Sequence, residues 1–211
     1  MLAWAPPVYS QSTSKTDSKS TLKILVLGDS LSAAYKLPEE QGWVNLMAER
    51  IKNKGWPVKV ANASVSGATT EAGLQILPRA LSQHNPDWVV LELGANDGLQ
   101  GKPIPYITSQ LERLITQIQA ADAQVILAGI QLPPNFGKRY TEPFFQQYPI
   151  LAKKHALPFI PFLLDGVAGN PQFMMKDGLH PSAEGQKKVL ENVWEIVFPL
   201  LEEHFVNSKK K

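Results

Sequence analysis

The spacing of apolar residues divides the chain into alternating strands and helices. Five short, almost wholly apolar runs predict buried strands, at residues 23–27, 58–63, 88–93, 124–129 and 157–162. Apolar residues recur at helical spacing between and after these runs, which predicts helices at residues 41–54, 70–83, 105–121, 144–155 and 182–204. Pro78 and Pro199 lie inside two of these helices, where each predicts a kink or an early end.

This alternation predicts an α/β fold with three layers, α/β/α, around a five-stranded and mostly parallel sheet. The chain shows no internal repeat and no sign of a second domain, so we expect one domain over residues 22–205. Right-handed crossovers gather the loops that follow the strands at one edge of the sheet, where open α/β sheets carry their chemistry.

The two ends of the chain differ from this domain. Residues 1–9 are largely apolar, and residues 10–20 are rich in Ser, Thr and Lys without a hydrophobic residue, which predicts a flexible lead-in over residues 1–21. The apolar part lacks the basic start and the length of a whole signal peptide, so it is either the remnant of one or a loose terminus. We expect an exported protein, periplasmic or secreted, with a cytoplasmic protein as the alternative. Residues 206–211 form a basic tail.

Composition excludes several classes of function. The 211 residues carry a formal net charge of +2 with scattered basic residues, which gives little support for nucleic-acid binding. The absence of cysteine excludes disulfides and thiol catalysis, and none of the four histidines has metal-site spacing, so we expect neither a metal nor another cofactor. No apolar run is long enough for stable membrane insertion, and we expect a monomer.

Small and polar residues follow four of the predicted strands, in types that acyl transfer requires. Ser30 follows the first strand, Gly67 the second, Asn96 the third, and Asp177 with His180 the fifth. A serine hydroxyl needs a base to take its proton, and a histidine base needs a carboxylate to orient it. The backbone N–H groups of Ser30 and Gly67 and the side-chain amide of Asn96 are candidate donors to an oxyanion.

Each of these residues also has a purely structural interpretation. Gly67 taken alone is more typical of a turn, and Asn96 is equally typical of a turn that adopts left-handed geometry. Asp177 and His180 lie where a helix begins. Their occurrence in order after successive strands is what favours a catalytic interpretation.

The four segments resemble the sequence blocks of the SGNH (GDSL-type) hydrolases. GDSLS (28–32) is similar to the first block, Gly67 within NASVSGATT to the second, GANDG (94–98) to the third and DGLHPS (177–182) to the last. The resemblance extends over about residues 23–200, and length and block spacing resemble the bacterial thioesterase I / lysophospholipase / arylesterase group. It implies a flavodoxin-like fold, a triad of Ser30, Asp177 and His180, and an oxyanion hole of Ser30, Gly67 and Asn96.

The resemblance also implies a serine esterase of lipid metabolism that forms an acyl-enzyme without a cofactor. Its partners would be small-molecule esters or thioesters of acyl chains, such as aryl esters, lysophospholipids or acyl-CoA. The alternatives are a carbohydrate (acetyl) esterase of the same family and a catalytically silent binding module. The Pro-rich stretch 131–142 predicts a long loop that selects the substrate. The first alternative is disfavoured by the candidate substrate-binding residues Leu132, Phe136, Met174 and Met175, although such residues are more often part of a core.

Overall fold

The sheet carries the order and direction that the sequence predicts. The structure, a computed structural model, describes residues 21–206, so most of the predicted lead-in and the basic tail after residue 206 lie outside the described residues. The five strands are β1 (Leu22–Gly28), β2 (Val58–Asn62), β3 (Trp88–Glu92), β4 (Gln124–Ala128) and β5 (Phe159–Ile160). All neighbouring pairs are parallel and their order is β2-β1-β3-β4-β5, the flavodoxin-like order.

Helices cover both faces of this sheet. They are α1 (Trp43–Asn53), α2 (Thr70–His84), α3 (Ala95–Leu99), α4 (Ile104–Ala120), α5 (Lys138–Lys154) and α6 (Ala183–Val206). Two short 3-10 helices, Glu39–Gln41 and Pro134–Phe136, precede α1 and α5.

Side chains that alternate along each strand build two hydrophobic cores. Leu25 and Leu27 of β1 pack with residues of α2, α4 and α5, whereas Ile24 and Val26 pack with residues of α1 and α6. Both faces of a strand are therefore buried, which explains why the strands are aliphatic throughout. The predicted three-layer α/β/α fold is confirmed.

The order of the strands reverses between β1 and β3. The chain places β2 on one side of β1 and then returns to place β3, β4 and β5 on the other side. Such a reversal leaves a crevice at the carboxyl ends of the two strands, where ligands bind in open α/β sheets. The loop after β1 carries Ser30, and α3, which is separated from the end of β3 by two residues, carries Asn96. The fold thus brings these two predicted site residues to one crevice.

Prolines lie inside three of the helices, α2, α5 and α6, without ending them. Helix α2 continues through Pro78 to His84, and α6 continues through Pro199 to Val206, so of the two predicted outcomes, a kink or an early end, neither helix shows the early end. Residues 138–142 likewise belong to α5, which contains Pro143, and this shortens the predicted loop 131–142 at its C-terminal end. Burial of one helix face outweighs the lost hydrogen bond and the steric cost of a proline.

Two further boundaries differ from the prediction. The GANDG segment forms the start of α3 and is not an open turn. Only Phe159–Ile160 of the predicted fifth strand pairs with β4, at the edge of the sheet.

Candidate active site

Ser30 lies in a tight turn that begins directly after β1. The carbonyl of Asp29 accepts hydrogen bonds from the backbone N–H groups of Ser32 and Ala33, and Asp29 Oδ1 accepts one from Leu31 N–H. A Cβ at Gly28 would lie 2.5 Å from Glu92 Oε2 and 2.9 Å from Ser32 Oγ, so only glycine fits the end of the strand. The turn leaves the Ser30 side chain half-buried at the crevice.

The loop before α6 brings His180 to this serine. His180 Nε2 lies 2.9 Å from Ser30 Oγ, and His180 Nδ1 lies 2.9 Å from Asp177 Oδ2. An ionised carboxylate only accepts hydrogen bonds, so the Nδ1 proton is donated to Asp177 and Nε2 is free to accept from the serine hydroxyl. Helix α6 begins after this loop and is capped by Ser182, whose Oγ accepts from Gly185 N–H. Asp177 and His180 therefore precede the helix and do not form its start, which was the purely structural interpretation of these two residues.

Asp177 is held in its charged form. Burial opposes the charge of the carboxylate, but hydrogen bonds from Leu179 N–H and from the ring and backbone of His180 outweigh burial. Together they lower the pKa of Asp177 from 3.8 to about 2. The carboxylate therefore accepts from His180 throughout the neutral and mildly acidic range.

Two of the three predicted oxyanion donors have free N–H groups. Among residues 21–206, neither Ser30 N–H nor Gly67 N–H has a hydrogen-bond acceptor, and Gly67 has φ +82°, a conformation that favours glycine. The amide of Asn96 is occupied, because its Nδ2 donates to Asp29 Oδ2 and to the carbonyl of Ala68, both at 3.0 Å. All three groups nevertheless lie in the segments that surround Ser30.

Two buried carboxyl groups lie beneath the turn and were not identified from the sequence. Asp29 and Glu92 are both fully buried, and Glu92 Oε2 accepts from Asp29 N–H and from Ser32 Oγ at 2.7 Å. Burial raises the pKa of each group, and their mutual repulsion raises that of Glu92 further. Glu92 lies inside an otherwise apolar strand, and its pairing with Asp29 depends on the packing of β3 beside β1, which no local pattern indicates.

Asp97 is a third buried carboxyl group, and it links α3 to the loop that contains Gly67. Its oxygens accept from the backbone N–H and the hydroxyl of Thr70, the first residue of α2, and from Lys102 Nζ at 3.1 Å. Asn96 and Gly67 are thereby tied to each other through their neighbours. The acidic residue directly after Asn96 was the available sequence signal.

A cavity of about 530 Å³ opens beside Ser30, Asn96 and His180. Most of its wall is apolar and comes from the loops after β1, β4 and β5 and from α3; it includes Leu31, Leu99, Ile130, Leu132, Phe162, Leu164, Met174 and Leu179. Of the four residues that the sequence assigned to substrate binding, Leu132 and Met174 line this cavity. Phe136, which is 36% exposed, and Met175 do not line it.

The part of the chain that the structure describes holds no group of three or more His, Asp or Glu residues able to hold a metal ion. Within residues 21–206, no helix has the length and apolar character needed to cross a membrane.

The comparisons of this chain with known proteins agree on one family. The model of the GDSL-like Lipase/Acylhydrolase family matches residues 26–188. The chain is 47% identical over 176 residues to an arylesterase of Vibrio mimicus, covering 83% of this chain and 88% of that protein. It is 39% identical to thioesterase 1/protease 1/lysophospholipase L1 of Escherichia coli (strain K12), covering 84% of each. The crystal structure of TesA superposes with a TM-score of 0.82 at 43% identity, covering 84% of this chain and 99% of that one.

The chain therefore belongs to the GDSL-like lipase/acylhydrolase family. It is a serine ester hydrolase, and the resemblance, fold and enzyme class predicted from the sequence are confirmed.

Proposed function

We propose that Ser30, His180 and Asp177 are the catalytic triad of this esterase. The proposal rests on one observation: Ser30 Oγ, His180 Nε2, His180 Nδ1 and Asp177 Oδ2 form a continuous pair of 2.9 Å hydrogen bonds that joins residues 150 positions apart. A nucleophile bonded to a base, which is in turn bonded to an orienting carboxylate, is the arrangement that serine acyl transfer requires.

In the first half-reaction, Ser30 Oγ bonds to the acyl carbon while its proton moves to His180 Nε2. The carbonyl oxygen becomes an oxyanion, and the resulting imidazolium is stabilised by Asp177. Collapse of the tetrahedral intermediate breaks the bond to the alcohol or thiol, which leaves with the proton from His180. Water then attacks the acyl-Ser30 ester by the same route in reverse, which releases the carboxylic acid and regenerates the serine.

Ser30 N–H, Gly67 N–H and Asn96 Nδ2 form the oxyanion hole. The first two donors have no competing acceptor within the described part of the chain. Asn96 serves the oxyanion by weakening one of its two existing hydrogen bonds, to Asp29 or to Ala68, as negative charge develops. A full negative charge on oxygen is a stronger acceptor than a backbone carbonyl, so the exchange with Ala68 is favourable.

The substrates are esters or thioesters of extended acyl chains, such as aryl esters, lysophospholipids and acyl-CoA. The apolar wall of the 530 Å³ cavity supports this choice, because an acyl chain gains about 0.8 kcal/mol for each CH₂ that it buries. A related protein named arylesterase and another named thioesterase and lysophospholipase support the same class. An acetyl-sugar ester would leave most of this apolar wall exposed to water.

The test combines covalent labelling with a substrate profile. A p-nitrophenyl phosphonate should label Ser30 stoichiometrically. Ser30→Ala should retain the fold and lose the labelling, and its rate of ester hydrolysis should fall by several orders of magnitude. The exposed Ser109→Ala is the control and should keep full activity. Labelling of any serine other than Ser30 would refute the triad. A kcat/KM that is highest for acetylated sugars would refute the substrate class.

We further propose that the enzyme acts as a monomer in the periplasm. All members of the proposed triad come from one chain, which supports a monomeric unit. The apolar start and Ser/Thr-rich continuation of residues 1–20 support export. Light scattering of the purified protein and fractionation of cells that express it test the two statements.

A further inference from the structure

The ring of Tyr35 packs against the imidazole of His180. The two ring centroids are 4.3 Å apart and the ring planes are tilted by 33°. Tyr35 lies in the loop that follows Ser30 and is half-buried. Among the described residues, the Tyr35 hydroxyl has no hydrogen-bond partner, so the contact is made by the ring alone.

The backbone on both sides of Tyr35 is unusual. Ala34 has φ +52° and Lys36 has φ +55°, a left-handed conformation that residues other than glycine rarely adopt. Such strain persists only where the surroundings enforce it, and it is concentrated at functional sites. The strain here flanks a single side chain, and that side chain contacts His180.

The surroundings that enforce this conformation are visible. Ala34 is buried against Gly42, at which a Cβ would lie 2.7 Å from Ala34 Cβ, and the carbonyl of Ala34 accepts from Leu37 N–H at 2.9 Å. The close approach to Gly42 and the turn to Leu37 hold Ala34 in place. The loop therefore presents Tyr35 to His180 as a fixed surface.

We propose that Tyr35 is a positioning residue for the general base of this enzyme. Its ring packs against the imidazole and holds it in the orientation in which Nε2 faces Ser30 Oγ and Nδ1 faces Asp177 Oδ2. This inference rests on the catalytic roles proposed above. The two hydrogen bonds hold the edges of the imidazole at its nitrogens, and the packed aromatic surface of Tyr35 supports its face against tilting. The negative π face also favours the imidazolium that forms when Ser30 loses its proton.

Each ring of the pair has a charged group beside it. Asp177 lies on Nδ1 of His180, and Lys36 Nζ lies 5.0 Å from the centroid of the Tyr35 ring. Lys36 is exposed, so its influence is reduced by salt, and the kinetic comparisons are made at one fixed ionic strength.

The test uses Tyr35→Leu, which keeps an apolar side chain but removes the ring, and Tyr35→Phe, which keeps the ring. A contact between two aromatic rings of this kind corresponds to a factor of roughly three to ten in rate. We expect kcat of Tyr35→Leu to fall by that factor with KM within about twofold, and Tyr35→Phe to match the unchanged enzyme. Because the imidazolium loses a favourable contact, the acid limb of the pH–rate profile of Tyr35→Leu should move to lower pH.

Tyr106 provides the matched control. It is also half-buried and also has a lysine near its ring, with Lys102 Nζ at 5.4 Å from the centroid, but it belongs to α4, and its ring contacts no histidine within residues 21–206. Tyr106→Leu should leave kcat and the pH profile unchanged. Rates are expressed per active site, as counted by phosphonate labelling, so that a loss of folded protein does not appear as a loss of kcat.

Three results would overturn the proposal. The first is a kcat for Tyr35→Leu equal to that of the unchanged enzyme, and the second is an equal loss in Tyr35→Phe, which would assign the role to the hydroxyl. The third is a loss confined to aryl esters with alkyl esters unaffected, which would show that Tyr35 binds the leaving group. Each of these is distinct from failure of the triad, which would appear as phosphonate on a serine other than Ser30.

Discussion

The side-chain amide of Asn96 donates a 3.0 Å hydrogen bond to Asp29 Oδ2, so the residue before the proposed nucleophile holds the proposed oxyanion donor. The second amide proton is donated to Ala68, in the loop that contains Gly67. One side chain thus connects the three segments that follow β1, β2 and β3. This connection holds the segments that carry the proposed oxyanion donors together before substrate binds, and Asn96 then exchanges one of its two bonds for the oxyanion.

Asn96→Ala should lower kcat by roughly a hundred- to a thousandfold, because one oxyanion donor is lost and its contribution is largest in the transition state. KM should change little. Steady-state kinetics with p-nitrophenyl butyrate measure both constants. Asn53→Ala, at an exposed position at the end of α1, is the control. A variant that unfolds but keeps the same kcat per folded molecule would show that Asn96 serves only the turn.

Asp177→Asn should reduce kcat by up to about 10⁴-fold, since the imidazole loses the partner that fixes its tautomer. In the unchanged enzyme, the lowered pKa of Asp177, about 2, keeps this residue charged well below the pH at which a histidine gains a proton. Activity should therefore rise with pH as the histidine loses its proton, and Asp177 should contribute nothing to this rise. A kcat/KM profile from pH 4 to 9 that shows no ionisation would contradict a histidine base.

Glu92→Gln should make the stability of the fold less dependent on pH. Burial raises the pKa of Glu92 and Asp29, so the folded state keeps protons that the unfolded chain loses above about pH 4. The contribution of these groups to stability is present below that pH and is lost as pH rises through their raised pKa values. Glu92→Gln removes one of the two titrating groups and its repulsion with Asp29. The free energy of unfolding should therefore fall less steeply as pH rises.

Urea denaturation of Glu92→Gln at pH 5 and pH 9 measures the effect as the difference between the two free energies of unfolding. Glu49→Gln is the control, because Glu49 is exposed on α1 and its substitution removes a carboxylate from solvent. The prediction would be contradicted if the free energy of unfolding of Glu92→Gln changed between pH 5 and pH 9 by as much as that of the unchanged protein.

The layers of the fold could be predicted because they depend on local patterns. Aliphatic runs such as Leu25–Val26–Leu27 require burial on both faces, and that requirement alone predicts a covered parallel sheet. The start of α5 at Lys138 could not be predicted, since it depends on how much apolar surface the helix buries beyond Pro143.

The candidate site divides in the same way. Ser30, Gly67, Asn96 and His180 lie in recognisable segments, so their meeting at one edge follows from the strand order. The partners that hold them depend on contacts between distant segments. Glu92 contacts the turn at Ser32 from 60 positions away, and Tyr35 reaches His180 from a loop in which Ala34 and Lys36 adopt positive φ. No spacing within a single segment predicts either contact.

Leu132 should determine how strongly kcat/KM depends on acyl length. Its side chain lines the cavity beside Ser30 and is 7% exposed, whereas Phe136 in the same loop is 36% exposed and does not line the cavity. Each CH₂ of an acyl chain that is buried adds about 0.8 kcal/mol, which is several-fold in kcat/KM for each carbon. Leu132→Ala removes part of the wall, so the increase from butyrate to decanoate esters should become shallower, while acetate esters, which do not reach the wall, should be unaffected.

The matched variants for this test are Phe136→Ala and Leu132→Phe. Phe136→Ala should leave the dependence on acyl length unchanged, because the side chain lies outside the cavity. Leu132→Phe adds volume to the wall and should shift the preferred acyl chain to a shorter length. Leu132 also packs against Gly98, so Leu132→Ala costs roughly 2–5 kcal/mol of stability and its rates must be expressed per phosphonate-labelled site. If acetate and decanoate esters lost activity by the same factor, Leu132 would support the catalytic residues and would not contact the acyl chain.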